Sequence, residues 1–162
     1  YDFPIIRYAE VLLNYAEAMY ELGTTGKALD DALNISLNLV RLRVNPDMPK
    51  LTTSFASENS LNMREEIRRE RTIELYNEGF RVDDLKRWNT AIVEMPKPIL
   101  GVKWTGTDFA TSWAGASNMA KDSDGCLILE NSRRWGSKND LYPLPVDQCQ
   151  LNPNLGQNPG WQ

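Results

Sequence analysis

Histidine is absent from this sequence. That excludes Ser-His-Asp and Cys-His catalytic arrangements, histidine-ligated zinc, and the side chain that most readily shuttles protons near neutral pH. Cysteine is almost absent. Cys126 and Cys149 both fall in the last third of the chain, where a single disulfide is one option and two free thiols the other. No apolar run is long enough to cross a bilayer as a helix. Positive charge is also in short supply. Eighteen Lys and Arg stand against 22 Asp and Glu, a net charge of -4, with no concentrated basic face of the kind that neutralises nucleic-acid phosphates. A length of 162 residues suffices for one domain with a real core, and a start at Tyr1, just ahead of a helical pattern, reads as part of a longer protein.

What the chain does have is helical periodicity over its first 93 residues. Asp2 is suited to cap a helix and Pro4 to sit in its first turn. Arg7, Glu10, Asn14, Glu17 and Glu21 then recur at spacings of 3 and 4 as one polar stripe. The remaining positions from Ile5 to Leu22 are so apolar that the helix reads as sandwiched between neighbours. Gly23 ends it, and a second helix is expected from Lys27 to about Arg43. The short turn makes the two antiparallel, and Ala16, Ala18, Ala28 and Ala32 allow the close approach of a tetratricopeptide-type hairpin. Leu51–Ser60 reads as polar linker. A third helix is expected after a cap at Asn59 or Ser60, and a fourth from about Arg81 to Val93.

Beyond Glu94 the pattern dissolves into glycine and proline punctuation. Short extended pieces are expected at Ile99–Trp104 and Cys126–Leu129, and one helical turn at Pro145–Gln150. Leu141, Tyr142, Leu151, Leu155 and Trp161 are expected to dock this tail on the helices. The reading is therefore an all-α fold in a single domain. About four main helices lie within residues 4–93 as tetratricopeptide-like hairpins, and a loop-rich region covers 96–162.

Charge is densest over Asn62–Asn89. Its acids could serve as a paired-carboxylate hydrolase site. The structural alternative is an ion-pair network of Arg7, Glu10, Glu17, Glu70, Glu74, Arg81, Asp84 and Arg87 that locks helices together, and this is the reading adopted. Asp122 and Asp124 offer a short calcium-loop pattern that lacks the later glutamate of an EF-hand, so no metal site is assigned. The hint of ligand binding comes from Trp104, Trp113 and Trp135, which sit in the loop-rich region with Asn131 and Arg134 nearby. Sugars present C–H faces that stack on aromatic rings while amides and guanidinium groups take their hydroxyls. The competing reading is that these tryptophans anchor loops to the core.

Three stretches together resemble the SusD/RagB family of surface glycan-binding lipoproteins. They are Asp2–Ala18; Ile67–Leu75 continuing through Glu78-Gly79-x-Arg81 to Asp84-Leu85-x-Arg87-Trp88; and Leu141–Pro145 with Asn152–Leu155 and Gln157–Trp161. Phe80 stands where the family usually has His, and Val82-Asp83 where it often has an aromatic pair. The resemblance implies the C-terminal portion of such a protein. It also implies a helical fold and non-catalytic capture of oligosaccharides at the outer face of the bacterial outer membrane. The partner it implies is a SusC-like TonB-dependent transporter, and the lipid anchor would lie outside this stretch. No cofactor is implied. The alternative is a tetratricopeptide-like scaffold that binds another protein and has no sugar site.

Overall fold

The structure is a computed structural model and describes residues 6–161. The cap at Asp2 and the first-turn Pro4 lie outside the described residues. The chain divides into two compact units, residues 1–81 and 82–162. About half of the described chain is helical, with one small sheet.

In the first unit, α1 (Tyr8–Glu21) is followed by α2 (Gly26–Asn34), α3 (Leu37–Val44), α4 (Thr53–Glu58) and α5 (Met63–Glu74). Helix α1 packs against α5, α2 and α3. The core joins Leu13 and Ala16 of α1 to Leu29, Leu33, Leu37 and Val40, then Leu51, Ile67 and Leu75. Each wholly buried leucine contributes about 1.5–3 kcal/mol of transfer free energy. Helix α1 ends at Gly23, whose φ of +82° suits glycine. Gly23 N–H donates to Tyr20 O and Thr24 N–H to Met19 O, which satisfies carbonyls of the last turn.

Five expectations are corrected in this unit and the start of the next. The helix expected over Lys27–Arg43 is two helices, broken at Ile35 and Ser36. The Ser36 hydroxyl donates back to the Ala32 carbonyl, which competes with the helical ladder. The break keeps both Leu33 and Leu37 inside while Ile35 stays exposed. Leu51–Ser60 contains α4, capped by Thr52 Oγ1 accepting from Phe55 N–H. The cap of α5 is Asn62, because Asn59 and Ser60 are already spent on ending α4: Ser60 has φ +54°, and Leu61 N–H reaches back to Ala56 O. The helix expected over Arg81–Val93 is α6 (Phe80–Arg87) and α7 (Ala91–Glu94), parted by Asn89 at φ +55° with Thr90 N–H bonded to Leu85 O. Helix α1 is also not sandwiched. Tyr8, Val11, Tyr15 and Leu22 form an exposed stripe along it.

In the second unit, β1 (Ile99–Lys103) pairs antiparallel with β2 (Cys126–Glu130) in an irregular register that matches Leu100 to Ile128 and Lys103 to Cys126. These strands fall where extended pieces were expected, and α9 (Val146–Leu151) falls on the expected helical turn. A one-turn helix, α8 (Phe109–Ser112), lies between the strands in sequence. Trp104, Ala116 and Leu127 make a second buried cluster, with Ala110 packed on it.

Of the five side chains expected to dock the tail, only Trp161 is half-buried. Leu141, Tyr142, Leu151 and Leu155 are all exposed. Polar side chains tie it instead. The Gln157 amide accepts from Leu144 N–H at 2.7 Å and donates to Leu144 O at 2.8 Å. Asn158 Nδ2 donates to Tyr142 O, and Trp161 Nε1 to the carbonyls of Lys138 and Leu141. Cys126 and Cys149 are free thiols.

Candidate functional site

The charged residues assemble mainly through arginine. Arg7, just before α1, reaches the end of α5: Nη1 bonds Glu74 Oε1 at 3.0 Å, and Nε and Nη2 take both oxygens of Glu78 at 2.9 and 2.7 Å. This side-on, charge-assisted grip raises the Arg7 pKa, led by the bond to Glu78 and then that to Glu74. Arg43 of α3 also bonds both oxygens of Glu74. Arg71 donates to Asn14 Oδ1 at 2.7 Å, its guanidinium lying over the Phe80 ring. Glu70 is pushed up by burial, against the pull of Arg41, whose Nε stands 3.8 Å away. Arg81 donates to Thr72 Oγ1. In the second unit, Arg87 Nε bonds the buried Asp84 at 2.9 Å. Glu17 is buried in α1, and Glu10 lies half-buried on the same helix. Arg41, Arg43 and the Arg64–Glu21 pair also belong to this frame. Sequence reading missed them because charges at helical spacing give no sign of which neighbour they will meet.

Asp122 and Asp124 shape a turn. Asp122 Oδ1 accepts from Asp124 N–H and Cys126 N–H, which closes the turn ahead of β2. Among the described residues no group of three or more His, Cys, Asp or Glu side chains could hold a metal ion.

The three candidate tryptophans have different surroundings. Trp104 is 5% exposed and forms the centre of the second core cluster, so its ring has no open face. Its backbone N–H donates to Gly125 O at 2.8 Å. Trp135 is half-buried, donates to Asp140 Oδ1 at 3.0 Å, and has Lys86 against its ring. That lysine also sits 4.0 Å from the Tyr142 ring centroid. Trp113 is 57% exposed. Its ring rests on that of Trp104, centroids 6.3 Å apart and planes tilted by 52°. A large apolar ring is thus braced from behind and open in front. Asn131 is exposed, and Arg134 folds its guanidinium back onto the carbonyls of Asn131 and Arg133. Trp113 and Trp104 therefore come together, whereas Trp135 belongs with Lys86 and Tyr142.

Two residues beside Trp113 carried no sequence signal. Phe109 lies one helical turn earlier and is 49% exposed, and Asp108 precedes it. With α8 only one turn long, periodicity could not have marked them.

A sequence model of the SusD family matches residues 1–161. No curated protein matches the chain. Among solved structures, the chain is similar to a SusD-like carbohydrate-binding protein from Bacteroides fragilis, with 31% identity, a TM-score of 0.70, and coverage of 94% of this chain and 28% of that one. It is also similar to a SusD-like protein from the same organism, with 29% identity, a TM-score of 0.66, and coverage of 97% and 25%. The chain spans about a quarter of the length of these structures.

Proposed function

Because this chain belongs to the SusD family, we propose that its protein captures oligosaccharides without cleaving them. The observation that carries this reading within the chain is the Trp113 ring, exposed on one side and braced by Trp104 on the other. A rigid ring stacks on the C–H face of a sugar with little loss of side-chain entropy. The relative described as a carbohydrate-binding protein supports the same ligand class. The carboxylates gathered at the end of α5 are bound to arginine, which suits a frame better than an acid–base pair. In this reading the protein works at the extracellular face of a bacterial outer membrane, held by a lipid anchor outside this stretch. It passes its glycan to a SusC-like TonB-dependent transporter, and it needs no cofactor.

Calorimetry of the full-length protein against a set of oligosaccharides tests the proposal. Trp113→Ala should weaken glycan binding by about tenfold, the scale of losing a hot-spot aromatic. Unchanged affinity would remove this loop from the binding surface. Turnover of an oligosaccharide that disappears on changing one Asp or Glu would replace capture with hydrolysis. The second reading, a protein-binding scaffold, draws on the stripe of Tyr8, Val11, Tyr15 and Leu22 left open on α1. It predicts binding to a protein partner that Tyr15→Ser weakens while every glycan titration stays flat.

A further inference from the structure

We infer that the Trp113 surface continues across Phe109 and Asp108 into a subsite for two successive units of a neutral sugar chain. The inference rests on the carbohydrate-capture reading above and adds the length and charge of the ligand. Trp113 N–H donates to Phe109 O at 3.0 Å, and Ser112 N–H donates to Asp108 O at 2.9 Å. These two bonds place the backbone of 109 one turn before 113 and that of 108 one turn before 112. The stretch from the N-cap Asp108 to the C-cap Trp113 therefore brings Phe109 and Trp113 one turn apart, with Asp108 next to Phe109 in the chain. Both rings are exposed, Phe109 at 49% and Trp113 at 57%.

Side chains one turn apart are offset by roughly 5.4 Å along the helix. That is comparable with the advance of one unit in an extended sugar chain, so successive pyranose faces can meet successive rings. The turn is well fastened. Thr107 Oγ1 donates to the carbonyls of Lys103 and Trp104, and the hydroxyls of Thr111 and Ser112 both donate to Asp108 O. Trp104 beneath is buried. A platform that does not rearrange loses less affinity to ordering.

Charge sets the second half of the inference. Asp108 is exposed, and among the described residues no hydrogen bond or ion pair engages its carboxylate. It can accept hydrogen bonds from sugar hydroxyls beside the rings. Lys121 lies over the buried Trp104 ring and donates to Ser117 O and Met119 O, and it forms no ion pair with Asp108. Beside the rings the turn therefore presents the unpaired Asp108 carboxylate as a hydroxyl acceptor. Neutral sugars gain from that carboxylate, and sugars bearing their own carboxylates are repelled.

The test is calorimetry of the full-length protein with the neutral hexasaccharides and disaccharides of the malto, cello, xylo and manno series, and with hexagalacturonate. Wild-type protein should bind at least one neutral hexasaccharide more tightly than hexagalacturonate. Phe109→Ala should weaken that hexasaccharide about fivefold and leave the disaccharide unchanged, a split that a purely structural role would not give. Asp108→Asn should improve hexagalacturonate about two- to fivefold, the range for one exposed charge pair. Circular dichroism checks folding, and Trp113→Phe should keep most of the affinity that Trp113→Ala loses. Preference for hexagalacturonate, or wild-type behaviour of both Phe109→Ala and Asp108→Asn while Trp113→Ala is weakened, overturns the inference and leaves carbohydrate capture standing. Absence of binding to every probe overturns both.

Discussion

Asn38 and Leu51 are joined as neighbouring strands would be. Leu51 N–H donates to Asn38 Oδ1 at 2.8 Å, and Asn38 Nδ2 donates to Leu51 O at 3.0 Å. Both residues are essentially without solvent contact. The side-chain amide thus satisfies a buried backbone donor and acceptor where the linker crosses α3. Asn38→Ala leaves both groups bare, at a cost of about 1–3 kcal/mol each in full. Urea titration should show a lower midpoint, with Asn38→Asp harmed as well, because a carboxylate cannot donate to Leu51 O.

The break in the second helix gives a paired comparison. Leu33 is fully buried, and Ile35, two residues on, is 62% exposed. Leu33→Ala should cost about 2–5 kcal/mol, whereas Ile35→Ala should stay within about 0.5 kcal/mol. Thermal or urea unfolding of the two variants checks this. Equal effects would mean that the chain is continuous through Ser36 and that Ile35 is packed.

Glu70 should make stability depend on mildly acidic pH. Its folded pKa is raised, chiefly by burial. The folded state therefore holds the Glu70 proton more tightly than the unfolded chain does. The stability this contributes is complete below the ordinary glutamate range and is lost as pH rises through the raised value. Urea midpoints of wild type and Glu70→Gln across that range should differ by an amount that moves against wild type as pH rises. A difference independent of pH would show that Glu70 is not buried enough to feel its surroundings.

Gly125 supports the ring platform from below. Its φ is +81°, and an added Cβ would overlap the Thr105 side chain. Its carbonyl receives the N–H of Trp104. Gly125→Ala should destabilise the second unit by about 1–3 kcal/mol. Because Trp104 would shift, tryptophan fluorescence should change along with stability. An unaltered emission spectrum would separate the hairpin turn from the aromatic pair.

The long periodic stretches were legible in the sequence because periodicity reports burial directly. Ala16 and Leu13 inside α1, and the strand pieces at Ile99 and Cys126, needed no distant partner to be read. Helix ends were less legible for a specific reason. Ser60 and Asn89 look like a helix start and a helix interior, yet both adopt left-handed backbone conformations that terminate helices. A polar residue that can either open or close a helix is resolved only by its neighbours. The tryptophans show the same limit. Trp104 and Trp113 are alike in local composition, and only the hairpin between β1 and β2 buries one and leaves the other open. Exposure of Leu141 and Leu151 was hidden because the tail is held by amide side chains, whose bonds leave no hydrophobic pattern.

The grip of Arg7 on Glu78 has a kinetic meaning. It closes a stretch of 71 residues, against 13 for the contact of Asn38 with Leu51. Loop closure over the longer span costs roughly 1.5 kcal/mol more by the logarithmic scaling of chain entropy. Nothing repays that cost until helices between the ends have assembled, so the contact is expected to form late in folding. Interactions formed after the rate-limiting step slow unfolding without speeding folding. Arg7 is then a latch on the lifetime of the folded first unit, and its loss would shorten that lifetime while the chain still collapsed at its normal pace.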